Sequence, residues 1–217
     1  MQKAIFPSIE RPRKRLPRAE REQQMIDVAM ELFISTGYQG TSIEDIATTA
    51  GVTRPILYNL FGSKDNIYLA CLKRARECLN TRLIEAVDSA SSFHDCLHAG
   101  IEGYFEFVER NPAAWRLLFA GGAAVAGSAA EEAKHLRFDT VGRIVDLLRP
   151  FMSGIETSAL EINANALSGA AEQVAKWWLE NDQTSRETVV EVLTSLLWAG
   201  FGQFEQSASP SNVRFRT

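Results

Sequence analysis

Strand signals are nearly absent from this chain, and so are long uncharged apolar runs, disulfide-forming cysteines and an excess of basic charge. Alternating apolar and polar residues hardly occur, whereas apolar residues recur every three to four positions almost throughout, which predicts an all-α protein. The most apolar long stretch, residues 113–130, contains Arg116 and several glycines, so no run approaches the roughly 18 uncharged residues of a membrane span. The N-terminus MQKAIFPSIERPRKRLPR has neither the continuous apolar core nor the small-residue cleavage site of a secretory leader. A soluble, cytoplasmic protein without a membrane partner is therefore expected. Three cysteines do not suggest a disulfide framework and suit a reducing compartment. The glycine-containing stretch GGAAVAGSAA lacks the lysine and the preceding strand of a phosphate-cradling loop, so no cofactor is expected. An enzyme is not expected either: Cys96 has His94 and His98 nearby, but neighbours along a helix diverge, and no third group orients a base.

What is present is enough for a packed core, since 46% of the 217 residues are hydrophobic. The net charge of −4 conceals an asymmetry: residues 1–64 carry 9 Lys+Arg against 7 Asp+Glu, and the remainder carries 14 against 20. Arg11, Arg13, Lys14, Arg15 and Arg18 form a basic run with no acid among them, stiffened by Pro12 and Pro17. Such an arm, residues 1–17, should be mobile without DNA; it either follows a phosphate backbone or is a solvated tail.

The first predicted helix runs from about Ala19 to Thr36 and stops at Gly37. Thr41-Ser42-Ile43-Glu44 reads as a capping box, with Thr41 as cap and Glu44 as its reciprocal partner, opening a second helix near Ser42 that ends at Gly51. A third, of only about eight residues, begins after Thr53 or Arg54 with Pro55 in its first turn. At 100° per residue Ile56, Leu57, Leu60 and Phe61 share one side, and Arg54, Pro55, Tyr58 and Asn59 the other. A helix this short needs docking to be stable. Two helices joined by a tight glycine-containing turn make a helix-turn-helix, whose second helix fits a major groove. Six more helices follow, at about 63–89, 92–110, 112–121, 129–151, 157–180 and 185–204, for about nine in all, with an aperiodic Ser-rich tail from Ser207.

Leu32-Phe33, Gly37-Tyr38, Thr41-Ser42, Ile46-Ala47, Ala50-Gly51-Val52, Leu57-Tyr58, Phe61 and Ser63-Lys64, in that order and spacing, resemble the DNA-binding domain of the tetracycline-repressor (TetR) family. Asn66-Ile67-Tyr68 departs from the acid and leucines more usual there. The resemblance implies a DNA-binding domain at 18–64, a ligand-binding and dimerisation domain at 65–206 and a homodimer that binds double-stranded operator DNA. It also implies release by a small-molecule effector, most often making the regulator a repressor. On the third helix Arg54 is the candidate for bidentate guanine readout and Pro55 for a thymine methyl. Thr53, Tyr58, Asn59 and Lys64, with Thr41 and Ser42 at a helix N-terminus, are candidates for phosphates. Arg15 and Arg18 of the basic run join them.

For the effector the resemblance points to the aromatic-rich second half, with Phe105, Trp115, Phe119, Phe138 and Trp177 as candidates, although aromatics at helical spacing are more often plain core. Asn165 and Gln173, eight apart, could bond a ligand or simply be exposed. For a four-helix dimer seam the apolar stripes are Leu167, Ala171, Val174 and Trp178 on one helix, and Val189, Leu193, Leu196, Leu197, Gly200 and Phe204 on the next. Two rival sensors keep the same fold: a metal held by His94 and His98 at i and i+4, or an oxidant acting on Cys71 and Cys78. A helical interaction module without an effector is the remaining alternative.

Overall fold

The computed structural model describes residues 17–120, 128–152, 155–181 and 183–207, and among them every regular element is helical. Helix α1 spans Arg18–Gly40, α2 Ile43–Ala50 and α3 Arg54–Phe61. They are followed by α4 over Lys64–Val87, α5 over Phe93–Arg110 and a short α6 over Pro112–Trp115 that runs into a π-helical turn at Arg116–Ala120. Then come α7 at Ser128–Phe138, α8 at Thr140–Leu148 with a 3-10 turn at Arg149–Phe151, α9 at Thr157–Trp178 and α10 at Arg186–Ser207.

Helices α1, α2 and α3 close around the N-terminal half of α4, burying Met25, Phe33, Ile46, Leu57 and Leu72 together. Positive φ at Gly37 (74°) kinks α1 near its end, and at Gly51 (65°) and Gly62 (80°) it turns the chain where α2 and α3 stop, a conformation that costs a residue with a Cβ. Asn66 serves this corner, donating from Nδ2 to the Phe61 carbonyl at 2.7 Å where α3 ends. Tyr68, also off the family pattern, sets its ring edge-on to Phe33 and Tyr38, with centroids 5.1 and 5.2 Å away.

The capping box is real but shifted by one residue. Ser42, not Thr41, is the N-cap: its Oγ accepts from the Asp45 amide at 3.1 Å, and Asp45 Oδ2 accepts from the Ser42 amide at 2.8 Å. These bonds hold the Asp45 carboxyl below its ordinary pKa. Glu44, expected as the reciprocal partner, is left exposed.

In the second half α5 lies between α4 and α10. Gly103 is where α5 comes closest to α4: a Cβ there would stand 2.7 Å from that of Ala86, so the contact requires glycine. Arg186 ties α10 to α5 through Glu102 at 3.0 Å and through Glu109. The single helix expected over 129–151 is broken at Asp139 into α7 and α8. Arg76 of α4 straddles the break, donating from Nε to the Leu136 carbonyl at 2.7 Å and from Nη1 to the Thr140 hydroxyl. A buried guanidinium thereby anchors both helices to α4.

Candidate functional site

The α3 side chains divide as the helical wheel predicts. Leu57 and Phe61 are buried and Ile56 and Leu60 half-buried, whereas Thr53, Arg54, Pro55, Tyr58 and Asn59 are exposed. Beyond the docked side is therefore a small polar face with one guanidinium, one phenol and one amide, all groups that bond bases or phosphates. Arg54 Nη1 lies 3.3 Å from Glu44 Oε2 of α2, and both side chains are mostly solvated. An exposed pair of this kind contributes about 0–1 kcal/mol. Ser42 is exposed at the α2 N-terminus and Arg18 at the start of α1.

Of the expected phosphate contacts, Thr41 is not available as a side chain and Lys64 has two of its three ammonium protons committed within the chain. Thr41 is buried: its hydroxyl donates toward the Gly37 and Leu32 carbonyls at 2.8 and 3.2 Å and meets Thr36 Oγ1 at 2.8 Å. Capping-type signals in sequence do not distinguish a residue facing solvent from one clamping the preceding turn. Lys64 is half-buried, with Nζ donating to the Tyr38 and Thr41 carbonyls at 3.0 and 3.1 Å and sitting 4.2 Å from the Tyr38 ring centre. It bolts the α1–α2 corner to α4. Tyr38 completes this bolt by donating its hydroxyl proton to Asp65. Arg15 lies outside the described residues.

A second candidate site is an apolar cavity between α4, α5, α8 and α9, with Phe119 at one side. The space open to the centres of water-sized molecules is about 60 Å³, and all the non-atom space around it, open solvent at the mouth included, is about 610 Å³. Leu83, Val87, Leu97, Ile101, Ile144 and Leu148 make most of the wall, and Tyr104, Thr140, Ser168 and Cys96 are its polar or sulfur-bearing members. Most effector residues expected from sequence are elsewhere. Among the expected residues with described side chains, only Phe119 lines the cavity. Phe105 and Trp115 are buried behind it, the first against Trp178 and the second bonding its Nε1–H to Tyr104 at 2.7 Å. Asn165, Gln173 and Trp177 are exposed on α9, with Asn165 turned back to the Glu161 carbonyl. The side chain of Phe138 is outside the described residues. Leucine and isoleucine at α8 positions carry no sequence signal that separates a cavity wall from a core.

The seam stripes are corrected in the same way. Leu167, Ala171, Trp178, Val189 and Leu193 are buried within their own chain, Leu167 and Ala171 as cavity wall, and Val174 and Leu197 are half-buried. The apolar groups left outside are Ile162 and Trp177 on α9 and Val192 and Leu196 on α10, each at least half exposed, next to exposed Gly200. Phe204 has no described side chain. A stripe too broad for one face is shared between the chain's own core and its surface.

The rival sensors find little support. His94 and His98 are both exposed, and His94 is edge-on to the Trp198 ring at 4.8 Å. Among the described residues no three His, Cys, Asp or Glu converge as metal ligands. Burial pushes the Cys71 thiol up to about 12 and raises that of Cys78, the reverse of what a reactive thiolate needs.

A family model described as bacterial regulatory proteins, tetR family, matches residues 25–71, and one described as tetracyclin repressor-like, C-terminal domain, matches residues 93–200. The HTH-type transcriptional activator FasR of Mycolicibacterium smegmatis is 30% identical over 187 residues, 86% of this chain and 85% of that protein. A TetR-like transcriptional regulator from Rhodococcus sp. RHA1 superposes with a TM-score of 0.71 at 31% identity, over 87% of this chain and 99% of that one. The Bacillus subtilis regulator FadR, solved in complex with stearoyl-CoA, shares the fold with a TM-score of 0.66 at 18% identity, over 80% and 97% of the two chains. With a solvated polar helix face set on such a scaffold, this chain belongs to the TetR family of bacterial DNA-binding transcriptional regulators.

Proposed function

We propose that the protein acts as a homodimer whose two α3 helices enter successive major grooves of a palindromic operator, and that a small apolar molecule in the α4–α9 cavity releases it. The observation that carries the reading is the α3 face: Arg54, Pro55, Tyr58 and Asn59 are solvated although the helix is fully docked. Arg54 then reads a guanine, Pro55 meets a thymine methyl, and Thr53, Tyr58, Asn59 and Ser42 bond phosphates. Residues 18–64 form the DNA-binding unit and 65–206 the ligand-binding and dimerisation unit. Ile162 and Trp177 of α9 with Val192 and Leu196 of α10 form the dimer seam, because exposed apolar groups gathered on two helices mark an association surface. Two-fold symmetry of the seam matches two-fold symmetry of the operator.

Repression is the reading for an operator that overlaps a promoter. Activation is the second reading, favoured by the FasR relationship. Operators selected from random duplexes by the purified protein test DNA recognition: enrichment of an inverted repeat is expected, and no enrichment at low salt refutes it. Transcription in vitro from a promoter carrying that operator gives the sign of control.

A further inference from the structure

One end of the cavity is unlike the rest of its wall. Tyr104 and Thr140 both line it, and both hydroxyls already accept a hydrogen bond, Tyr104 from Trp115 Nε1 at 2.7 Å and Thr140 from Arg76. A hydroxyl that accepts still has its own proton to donate. Among the described residues neither proton is given to a protein oxygen. The Arg76 guanidinium carbon lies 5.9 Å from the centre of the Phe119 ring, and that ring stands 6.2 Å from the ring of Tyr104. Phe119 lines the cavity too, so Tyr104 and Thr140 stand toward its Phe119 end, with the Arg76 guanidinium behind the wall there rather than in it.

That end offers donors and positive potential. Arginine does not lose its proton, and its field is little screened in a poorly polar interior. No Asp or Glu is among the described lining residues. Asp139, whose charge Arg76 senses, is exposed and stands outside the lining. Glu172, the acid whose charge Tyr104 senses, is outside it as well. An ammonium group would meet donors and a like charge there; a neutral alcohol would gain nothing from the cation.

We infer that the cavity takes an apolar molecule bearing one carboxylate, whose oxygens accept from the Tyr104 and Thr140 hydroxyls in the field of Arg76 while the apolar body lies against Leu83, Ile144 and Leu167. The inference rests on reading this cavity as the effector site. It also gives Arg76 a second consequence, because the group that senses the ligand is the one that ties α7 and α8 to α4.

The test is calorimetric titration of the full chain, without DNA, with decanoate, methyl decanoate, decan-1-ol and decylammonium. Decanoate should bind once per protomer and about tenfold or more tighter than the other three, the gain of a hydrogen bond to a charged group. Tyr104→Phe and Thr140→Val each remove one hydroxyl with little change of shape, and each should weaken decanoate about three- to tenfold while weakening decan-1-ol less. Thermal melts confirm that both variants fold. Equal binding of the ester or alcohol, tighter binding of the amine, no binding of decanoate, or decanoate binding unmoved in both variants would overturn the inference. Operator release is read separately by fluorescence anisotropy. Decanoate that binds with these preferences but leaves the operator complex intact would refute the effector reading and keep the ligand class.

Discussion

Replacing Leu196 by serine separates the outer apolar face from the inner one. Leu196 is 68% exposed in the single chain and Leu193, one turn earlier, is 3% exposed. Fully burying a leucine is worth about 1.5–3 kcal/mol, so roughly two-thirds of that, about 1–2 kcal/mol, is still to be gained when Leu196 meets a partner. Symmetry repeats the loss in the second protomer, giving about 2–4 kcal/mol for the dimer, or roughly 30- to 1,000-fold in its dissociation constant. The chain's own stability should move by less than about 0.5 kcal/mol, because an exposed site loses little. Leu193→Ala should do the opposite, lowering unfolding stability by about 2–5 kcal/mol through a cavity in the monomer core. Sedimentation velocity over a concentration series reads the first effect and chemical denaturation the second. A Leu196→Ser dimer as tight as the parent would refute the assignment of this face, and with it the four-helix seam.

Other outcomes follow from the same structure. Arg54→Ala should cost about 1–3 kcal/mol of operator affinity and relax preference at one base pair per half-site, whereas a reduction equal on all sequences would make it a phosphate contact; competition with single-substituted operators decides. Lys64→Met should destabilise the N-terminal unit by about 1–3 kcal/mol in thermal or urea unfolding, since two backbone carbonyls are deprived of a charged donor, and unchanged stability would contradict the bolt. Burial lifts Cys71 to about 12 and Cys96 to about 11, so their thiolate fractions at pH 8 are far below those of free cysteine. Iodoacetamide should therefore leave both unlabelled in the native protein and label them on unfolding, and rapid native labelling at pH 8 would reopen redox sensing. Deleting residues 1–17 should make the slope of log affinity against log salt shallower by about 0.9 for each phosphate the arm neutralises, and an unchanged slope would make the basic run a solvated tail.

The N-terminal unit is legible in sequence because its signals are local. Gly37, Gly51 and Gly62 mark reversals, Pro55 marks a first turn, and the wheel of an eight-residue helix has only one way to dock Leu57 and Phe61. Where sequence and structure part, the deciding contact is distant along the chain. Thr41 carries a surface signal, but the carbonyls that claim its hydroxyl come from the previous helix. Lys64 has the look of a phosphate ligand, and sequence gives no sign that the Tyr38 carbonyl, 26 residues earlier, accepts one of its protons. The break at Asp139 has no glycine or proline to announce it; Arg76, 60 residues before Leu136, holds the two sides. Helix α10 carries apolar residues on more than one face, so periodicity alone does not assign Leu193 inward and Leu196 outward.

Helix α4 is one unbroken run of 24 residues, from Lys64 beside the α1–α2 corner to Val87 on the cavity wall. At 1.5 Å per residue it is a rod of about 36 Å. Tilting such a rod by about 5° about its cavity end carries the other end through roughly 3 Å, close to the ~3.4 Å rise between base pairs. In the proposed dimer, symmetry would move the partner's rod by the same amount, so the span between the two α3 helices would change by up to about twice that, the difference between facing a base edge and facing the next one. A side-chain rearrangement small enough to fit inside the cavity is thus multiplied by length alone, with no need for any helix to melt.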